Sequence, residues 1–208
     1  MPPDQYEYVD LGLPSGLKWC KTDVGAFNEG DYGLYFSWGG TVGYPDASSG
    51  KAFTWADYEL CGGSDSTLTK YNNNSSYGTV DNKTVLEAVD DAATVNMGSR
   101  WRMPTYDEYR ELMNNTNYEW VTNYKSTGHN VMKLTSKTDS SKYIIFPASG
   151  LCSSGSVSDV GSYGNFWSSS LGPSGARYGR SFYVYSSGRG TNSFSRCYGR
   201  AVRGVLAS

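Results

Sequence analysis

The feature that most constrains this fold is a series of short apolar segments in the second half of the chain. Segments of this length that are rich in β-branched and aromatic residues are typical of β-strands. Stretches rich in glycine and serine separate them, which favours a mainly antiparallel sheet. The five segments are VMKLTS (131–136), YIIFPASG (143–150), NFWSSS (165–170), RSFYVYSS (180–187) and RAVRGVL (200–206).

The first half of the chain has fewer strand signals. Residues 6–26 alternate apolar and polar positions around a Pro-Ser-Gly turn, which predicts a β-hairpin. Residues 31–40, DYGLYFSWGG, predict a second short aromatic strand. Between residues 41 and 78 the chain is rich in Gly, Ser, Asn and Asp, which indicates a long ordered insert or a series of loops.

Two segments have the pattern of helices. Residues 84–97 place apolar side chains along one helical face, and Gly98 follows as a stop signal. The second helix is expected over residues 104–116, where Thr105 and Glu108 have the spacing of a capping box. The apolar positions of the first helix are Val85, Val89, Ala92 and Ala93. Two main helices followed by antiparallel strands and long loops predict an α+β domain.

Charge and cysteine content exclude several kinds of site. Residues 168–208 carry a net charge of +6, but all six basic residues are Arg dispersed among Gly, Ser and Tyr, so we expect no nucleic-acid partner. A single histidine, His129, and the absence of any CxxC pair predict no metal, and we expect no cofactor. The four cysteines are Cys20, Cys61, Cys152 and Cys197.

No apolar run in the sequence is long enough to span a membrane, and no signal peptide is evident. We therefore expect no membrane insertion. Aromatic residues make up 15% of the chain and include 18 Tyr. Such a chain is expected to be rich in loops and to use Tyr and Trp for much of its burial.

Several motifs in series resemble a paralogous-domain family that is common in gut Bacteroidetes. That family is related to the formylglycine-generating-enzyme type of C-type lectin fold, so the resemblance implies a single C-type lectin-like domain over residues 1–208. The chain departs from the family at residues 19–26, where the family often reads WATCNVGA, and at Met97, where it often has Trp. The motifs are VDLGLPSGLKW, DVGA, DYGLYFSWG, LTKYN, DDAATVNMGSRWRMPT, IIFPASG and GSYGNFWSSS.

Many members of that family are variable proteins of diversity-generating retroelements. In those systems, template adenines are copied with errors into the 3′ end of the gene, and Asn codons become most amino acids but never Lys, Glu, Gln, Met or Trp. These five types occupy 28 positions in residues 1–167. At that rate about seven would be expected in residues 168–208, yet none occurs. The bias agrees with a diversified C-terminal region, while a Gly/Ser/Tyr-rich ending without such a history is the alternative.

The resemblance implies a set of variable, ligand-binding positions, because each is reachable from such a codon. They are Gly172, Gly175, Tyr178, Ser181, Tyr183, Tyr185, Gly188, Gly190, Asn192, Ser193, Phe194, Ser195 and Tyr198. Strand alternation predicts that most of the larger side chains are exposed on one contiguous face. The residues expected in the core are Trp167, Phe182, Val184, Val202 and Val205. Arg196, Arg200 and Arg203 are expected to anchor the scaffold.

These expectations lead to three hypotheses about function. The first is a non-catalytic ligand-binding protein with a hypervariable surface, acting as a phage receptor binder or a surface adhesin on a virion or bacterial cell. Its partner would be a protein or glycan on a cell surface. The second is a metal-independent carbohydrate-binding, lectin-like module without diversification. The third is an enzyme of the formylglycine-generating type, which needs a reactive cysteine pair.

Overall fold

The computed structural model describes residues 6–48 and 50–206, which form twelve strands and two α-helices. The helices are α1 (Ala92–Met97) and α2 (Tyr106–Asn115). The first six strands are β1 (Tyr8–Asp10), β2 (Lys18–Asp23), β3 (Trp101–Arg102), β4 (Thr116–Val121), β5 (Val131–Ser136) and β6 (Tyr143–Pro147). The others are β7 (Leu151–Ser153), β8 (Ser156–Ser158), β9 (Tyr163–Leu171), β10 (Tyr178–Tyr185), β11 (Gly188–Ser195) and β12 (Arg203–Leu206).

The strands form four sheets, all paired antiparallel. A four-stranded sheet has the order β1-β2-β12-β3, so the C-terminal strand lies between the N-terminal hairpin and β3. Two three-stranded sheets have the orders β11-β10-β9 and β4-β5-β6, and β7 pairs with β8. The predicted hairpin in residues 6–26 is confirmed as β1 and β2. Residues 31–40 contribute only isolated bridges at Tyr35 and Phe36.

The prediction of an α+β, C-type lectin fold with two main helices is wrong. The structure is 37% strand and only 14% helix, and it is a β-rich fold. Its first helix has six residues and its second has ten. The antiparallel strands therefore dominate the architecture, and the helices are short elements packed against them.

The first predicted helix fails because its N-terminal half pairs with a strand. Leu86 N–H donates to the Ser169 carbonyl at 2.9 Å, and the Thr84 carbonyl accepts from Leu171 N–H at 2.8 Å. These bonds to β9 replace the helical ones, and only a 3₁₀ turn at Ala88–Asp90 precedes α1. Val85 and Val89, expected on the buried face, are 47% and 70% exposed. Backbone pairing with β9 overrides the local apolar pattern here.

The capping box of the second helix is confirmed. The Thr105 hydroxyl accepts from Glu108 N–H at 3.3 Å, and the Glu108 carboxylate accepts from Thr105 N–H at 2.7 Å. Two backbone N–H groups at the start of the helix, which have no partner within the helix, are thereby hydrogen-bonded. The helix buries Tyr109 and Leu112 against the sheets.

The main core lies between α2, the four-stranded sheet and the two three-stranded sheets. Aromatic rings form its centre, with the Tyr109 and Phe182 rings stacked at 4.8 Å and Phe146 and Phe166 edge-to-face at 4.9 Å. A second cluster surrounds Trp38. All five residues expected in the core are buried, which confirms that prediction: Trp167, Phe182, Val184, Val202 and Val205. In the described ranges, no helix has the length and apolar character needed to cross a membrane.

Candidate functional site

The candidate site lies on the hairpin of β10 and β11. Successive side chains of a strand point to opposite faces of the sheet. Phe182 and Val184 therefore share the face that packs on α2, which we call the core face. Ser181, Tyr183 and Tyr185 share the opposite face, which we call the cleft face.

Cross-strand register continues the cleft face onto β11. Asn192 lies directly opposite Ser181, and Phe194 lies opposite Gly179. The residues predicted as variable that share the cleft face are Ser181, Tyr183, Tyr185, Gly188, Gly190, Asn192 and Phe194. The hairpin thus brings about half of the predicted positions together.

A cleft of about 460 Å³ opens over this face. It combines aromatic walls with amide groups and one carboxylate, a composition suited to binding an amphipathic ligand group. Its lining comes from β7, β9, β10, β11 and the loop after β8. The lining residues are Leu151, Asp159, Tyr163, Asn165, Tyr183, Tyr185, Asn192 and Phe194.

Three tyrosines form a stacked row along one wall of the cleft. The ring centroids of Tyr163 and Tyr185 lie 5.3 Å apart, and those of Tyr185 and Tyr183 lie 6.0 Å apart. The two β10 tyrosines of this row, Tyr183 and Tyr185, each cover a glycine on β11. A Cβ at Gly190 would lie 2.6 Å from the Tyr183 hydroxyl oxygen, and one at Gly188 would lie 3.5 Å from that of Tyr185. The glycines therefore leave room for the tyrosine rings to lie flat across β11.

We expect Gly190→Ala to displace the Tyr183 ring from its position across β11 while changing the free energy of unfolding by no more than about 1 kcal/mol. The new Cβ meets only the far end of a flexible side chain. In a Tyr183→Ala background, the same substitution should have no structural effect. A double-mutant cycle by denaturant unfolding, with tyrosine ring chemical shifts, measures this coupling. Equal effects of Gly190→Ala in both backgrounds would contradict the contact.

A polar network lies beneath the cleft. Ser181 donates to the Asn192 side-chain oxygen and accepts from Arg200 Nη1 at 2.8 Å. Arg200 Nη1 also donates to the Asn165 side-chain oxygen at 3.2 Å. The Arg200 guanidinium carbon contacts two aromatic rings, at 4.0 Å from the Phe194 centroid and 4.9 Å from the Trp167 centroid. The buried Arg200 is thus linked to the cleft through Asn165, Ser181 and Phe194.

The other predicted positions lie outside the cleft. Gly172 and Gly175 form the turn between β9 and β10, where Gly172 N–H donates to the Tyr178 carbonyl at 2.7 Å. Strand alternation places Tyr178, Ser193 and Ser195 with the core face. Tyr198 follows β11 and packs against the core cluster around Trp38. The binding role of these residues stays a prediction.

The expectation that the larger variable side chains are mostly exposed on one face is wrong. They are all half-buried: Tyr178, Tyr183, Tyr185, Asn192, Ser193, Phe194, Ser195 and Tyr198. Neighbouring loops and β9 cover the cleft face in part, and α2 approaches the opposite face. The surface is therefore a recessed cleft rather than an open sheet.

Two of the three arginines expected to anchor the scaffold do so through every guanidinium nitrogen. Arg196 donates to the Tyr58 hydroxyl and to the carbonyls of Lys70, Tyr71 and Ala176. This ties the end of β11 to the loops of residues 50–78, which carry no strand of the four sheets. Arg203 pairs with the buried carboxylate of Asp23 at 2.6 Å and also donates to the carbonyls of Cys20, Lys21 and Ile145.

The four cysteines are free. Burial raises the pKa of Cys152 and of Cys197 to about 12, so both remain protonated thiols and weak nucleophiles at neutral pH. Across residues 6–48 and 50–206, His, Cys, Asp and Glu nowhere gather in a group of three or more that could hold a metal ion. His129 stacks on Tyr32 with ring centroids 4.0 Å apart, and its Nδ1 contacts the Gly30 carbonyl.

Sequence reasoning missed four lining residues and the contacts that Arg200 makes beneath the cleft. Leu151, Asp159, Tyr163 and Asn165 precede the region that was expected to vary. Strand alternation around Phe166 predicts that Asn165 and Trp167 share one face of β9. The neighbouring residues do not indicate that this face continues onto β10.

No family model matches this chain, and neither a curated protein nor a solved structure matches it. The site is therefore defined by its own geometry.

Proposed function

We propose that this chain is a non-catalytic ligand-binding protein whose recognition surface is the cleft over β10 and β11. The observation that carries the proposal is the convergence of Tyr183, Tyr185, Asn192 and Phe194 on one cleft. All four are reachable from the Asn codons that diversity-generating retroelements mutate. The biological role we propose is that of a phage receptor binder or a surface adhesin, with a protein or glycan on a cell surface as partner.

The chemistry of the cleft supports this proposal. Tyr and Phe supply large contact areas at a small cost in rotamer entropy, and Asn adapts its hydrogen bonds to different partners. The Tyr183 and Tyr185 rings are stacked and half-buried, so little further ordering is needed on binding. Anchoring aromatic residues of this kind often carry most of the binding energy of an interface.

The two faces of the hairpin also differ in how they tolerate substitution. Phe182 and Val184 are fully buried, and truncating such residues costs about 1–5 kcal/mol. Tyr183 and Phe194 are half-buried at a cleft that opens to solvent, so new side chains there can extend outward. Variation at the half-buried cleft positions is compatible with retention of the fold.

Two matched libraries test the proposal. One randomises Tyr183, Tyr185, Asn192 and Phe194 with the codons reachable from AAY, and the other applies the same codons to Phe182 and Val184. Both are displayed on yeast and scored for protease resistance, and folded members are then selected against hen lysozyme as an unrelated protein probe. We expect most cleft-face members to resist protease and some to bind lysozyme, while most core-face members are cleaved.

Cleft-face members that are cleaved as readily as core-face members would overturn the proposal, as would folded members that never yield a lysozyme binder. Binding of the unaltered protein to a glycan array, combined with intolerance of the cleft face, would favour the carbohydrate-binding alternative. Diversification itself is tested by the flanking DNA. A near-copy of the 3′ end beside a reverse-transcriptase gene supports it, and the absence of both from the complete genome contradicts it.

A further inference from the structure

The sheet of β9, β10 and β11 ends at β11, which has a neighbouring strand on one side only in the described part of the chain. In an antiparallel pair, the N–H and C=O groups of alternate residues point toward the partner strand, and those of the residues between them point away. Arg196 N–H donates to the Arg177 carbonyl at 3.1 Å, which fixes this alternation along the hairpin. The backbone groups of Arg189, Thr191 and Ser193 therefore point away from β10.

The rest of the described chain leaves these groups uncovered. Within residues 6–48 and 50–206, no group from outside the sheet hydrogen-bonds the main chain of Thr191 or Ser193. Both residues are half-buried, so this edge is partly open to solvent. The helix α2 contacts β9, β10 and β11 alike, so it lies across the core face of the sheet rather than along the edge. The outer edge of β11 is therefore open.

The edge of β11 also lacks the features that usually prevent strands from pairing with another chain, such as Pro, Lys, a bulge or a cover. The opposite edge of the sheet is covered, since Trp167 N–H in β9 donates to the Ala201 carbonyl at 3.0 Å. In contrast, β11 has eight residues, pairs with β10 without a bulge and contains neither Pro nor Lys. Its one charged side chain, Arg189, is turned to the carbonyls of Met113 and Thr116. Such an edge is suited to pairing with a further strand.

The open edge adjoins the cleft. Gly188 and Gly190 have no side chains, and the Tyr185 and Tyr183 rings lie across them from β10. A strand added at the edge would lie about 4.8 Å beyond β11 and would place alternate side chains on the cleft face. Side chains opposite the two glycines would contact the tyrosine rings, and a side chain opposite Asn192 would meet its amide. Backbone pairing and the cleft can therefore act on the same ligand.

We propose that the open edge of β11 binds an extended peptide segment of a protein partner, which adds to the sheet as a further strand and places alternate side chains in the cleft. The inference rests on the proposed function, since it names the partner chemistry of the same cleft. Main-chain hydrogen bonds supply affinity that does not depend on the ligand sequence, and pockets for alternate side chains supply specificity. In a diversified protein, the variable side chains would select the ligand while the backbone edge holds it.

The ligand segment is short and carries aromatic or β-branched residues at alternate positions. The outward groups of Arg189, Thr191 and Ser193 can pair with about five residues of a partner strand. The open stretch ends where Tyr198 N–H donates to the Ser195 carbonyl at 3.1 Å. Aromatic and β-branched side chains pair favourably with aromatic rings on a neighbouring strand, so we expect them opposite the tyrosine rings.

Proline substitutions separate the role of the edge from that of the ladder, because proline lacks the N–H group. The N–H of Thr191 points outward, so Thr191→Pro removes a donor from the open edge and leaves the bonds to β10 in place. Ser193→Pro is a second variant of the same kind. Thr191→Val retains the N–H and is the matched control. Gly190→Pro removes an N–H that points toward β10, so this variant should disrupt the hairpin.

The probe is a phage-displayed library of random linear peptides, selected against the intact protein. Selected peptides are synthesised, and their Kd is measured by fluorescence anisotropy. We expect Thr191→Pro and Ser193→Pro each to weaken binding by about tenfold, and Thr191→Val to leave it unchanged. In the unaltered protein, NMR should show faster amide exchange at Thr191 and Ser193 than at Gly190 and Asn192, and protection of the two outward amides once a peptide is bound.

Peptide binding that both outward proline variants retain would overturn the inference, as would a bound peptide that leaves the Thr191 and Ser193 amides unprotected, or a selection that yields no binder. Because the exchange measurement uses the unaltered protein, it decides the question even if a proline variant fails to fold. An unaltered protein that sediments as a dimer, with Thr191→Pro as a monomer, would overturn the peptide assignment in favour of a second copy of this chain. The lysozyme binders of the matched libraries need only the cleft side chains, so failure here is distinguishable from failure of the proposed function.

Discussion

Asp23→Ala is expected to lower the free energy of unfolding by about 3–5 kcal/mol, because it leaves the Arg203 guanidinium as an uncompensated buried charge. The Asp23 and Arg203 side chains are 0% and 1% exposed, and their charged groups are 2.6 Å apart. The carbonyls of Cys20, Lys21 and Ile145 accept from Nη1 and Nη2 of Arg203 but supply no net charge. Urea denaturation followed by tryptophan fluorescence measures the loss.

The matched control is Glu7→Ala, which breaks a pair between Glu7 and Lys21 at the edge of the same sheet. The Glu7 side chain is 76% exposed there, so solvent screens the pair and the substitution should change stability little. The pair between Asp23 and Arg203 joins β2 to β12 and so holds the C-terminal strand in the four-stranded sheet. A loss below about 1 kcal/mol for Asp23→Ala, within the range of an exposed pair, would contradict this role.

Arg196→Met is expected to destabilise the protein by about 3–5 kcal/mol, since it leaves several buried acceptors without a donor. Arg196 is fully buried and bonds the Tyr58 hydroxyl and the Lys70, Tyr71 and Ala176 carbonyls. Methionine retains much of the apolar volume of arginine. The decrease in stability therefore reflects the lost hydrogen bonds and charge rather than a cavity. The measurement is the free energy of unfolding together with amide hydrogen exchange in β11.

Faster amide exchange in β11 and in the loops of residues 50–78 should accompany the stability loss of Arg196→Met, because that side chain joins the two regions. Arg177→Met serves as the control on the same hairpin. Arg177 pairs with Asp65 at 2.6 Å, and both side chains are more than a third exposed, so its replacement should have little effect. Equal losses for Arg177→Met and Arg196→Met would show that the buried bonds do not hold the end of β11.

Local sequence determined the elements whose hydrogen bonds are satisfied within a few residues. Thr105 and Glu108 satisfy each other's backbone donors, so α2 starts where the capping box predicts. Alternation in β10 likewise assigned Phe182 and Val184 to the core, because the period of a strand depends only on its own backbone. The hairpin of β1 and β2 follows from the same kind of local pattern.

Tertiary structure decided the features that depend on distant partners. Residues 84–86 carry a helical apolar pattern, yet the carbonyl of Ser169 and the amide of Leu171 draw them into pairing with β9. The cleft is recessed because Leu151, Asp159 and Tyr163 come from earlier in the chain to wall it.

Arginine shows the same division between sequence and structure. From the sequence, Arg196, Arg200 and Arg203 were all expected to anchor the scaffold; all three are buried, and Arg196 and Arg203 bond the scaffold through every guanidinium nitrogen. Only the packed structure distinguishes Arg200, since the number of donors left unpaired depends on which acceptors the fold brings within reach. Hydrogen bonds within a turn and the alternation of a strand can be predicted from neighbouring residues. Which acceptors reach a buried arginine, and how deep the cleft is, depend on contacts between residues far apart in the chain.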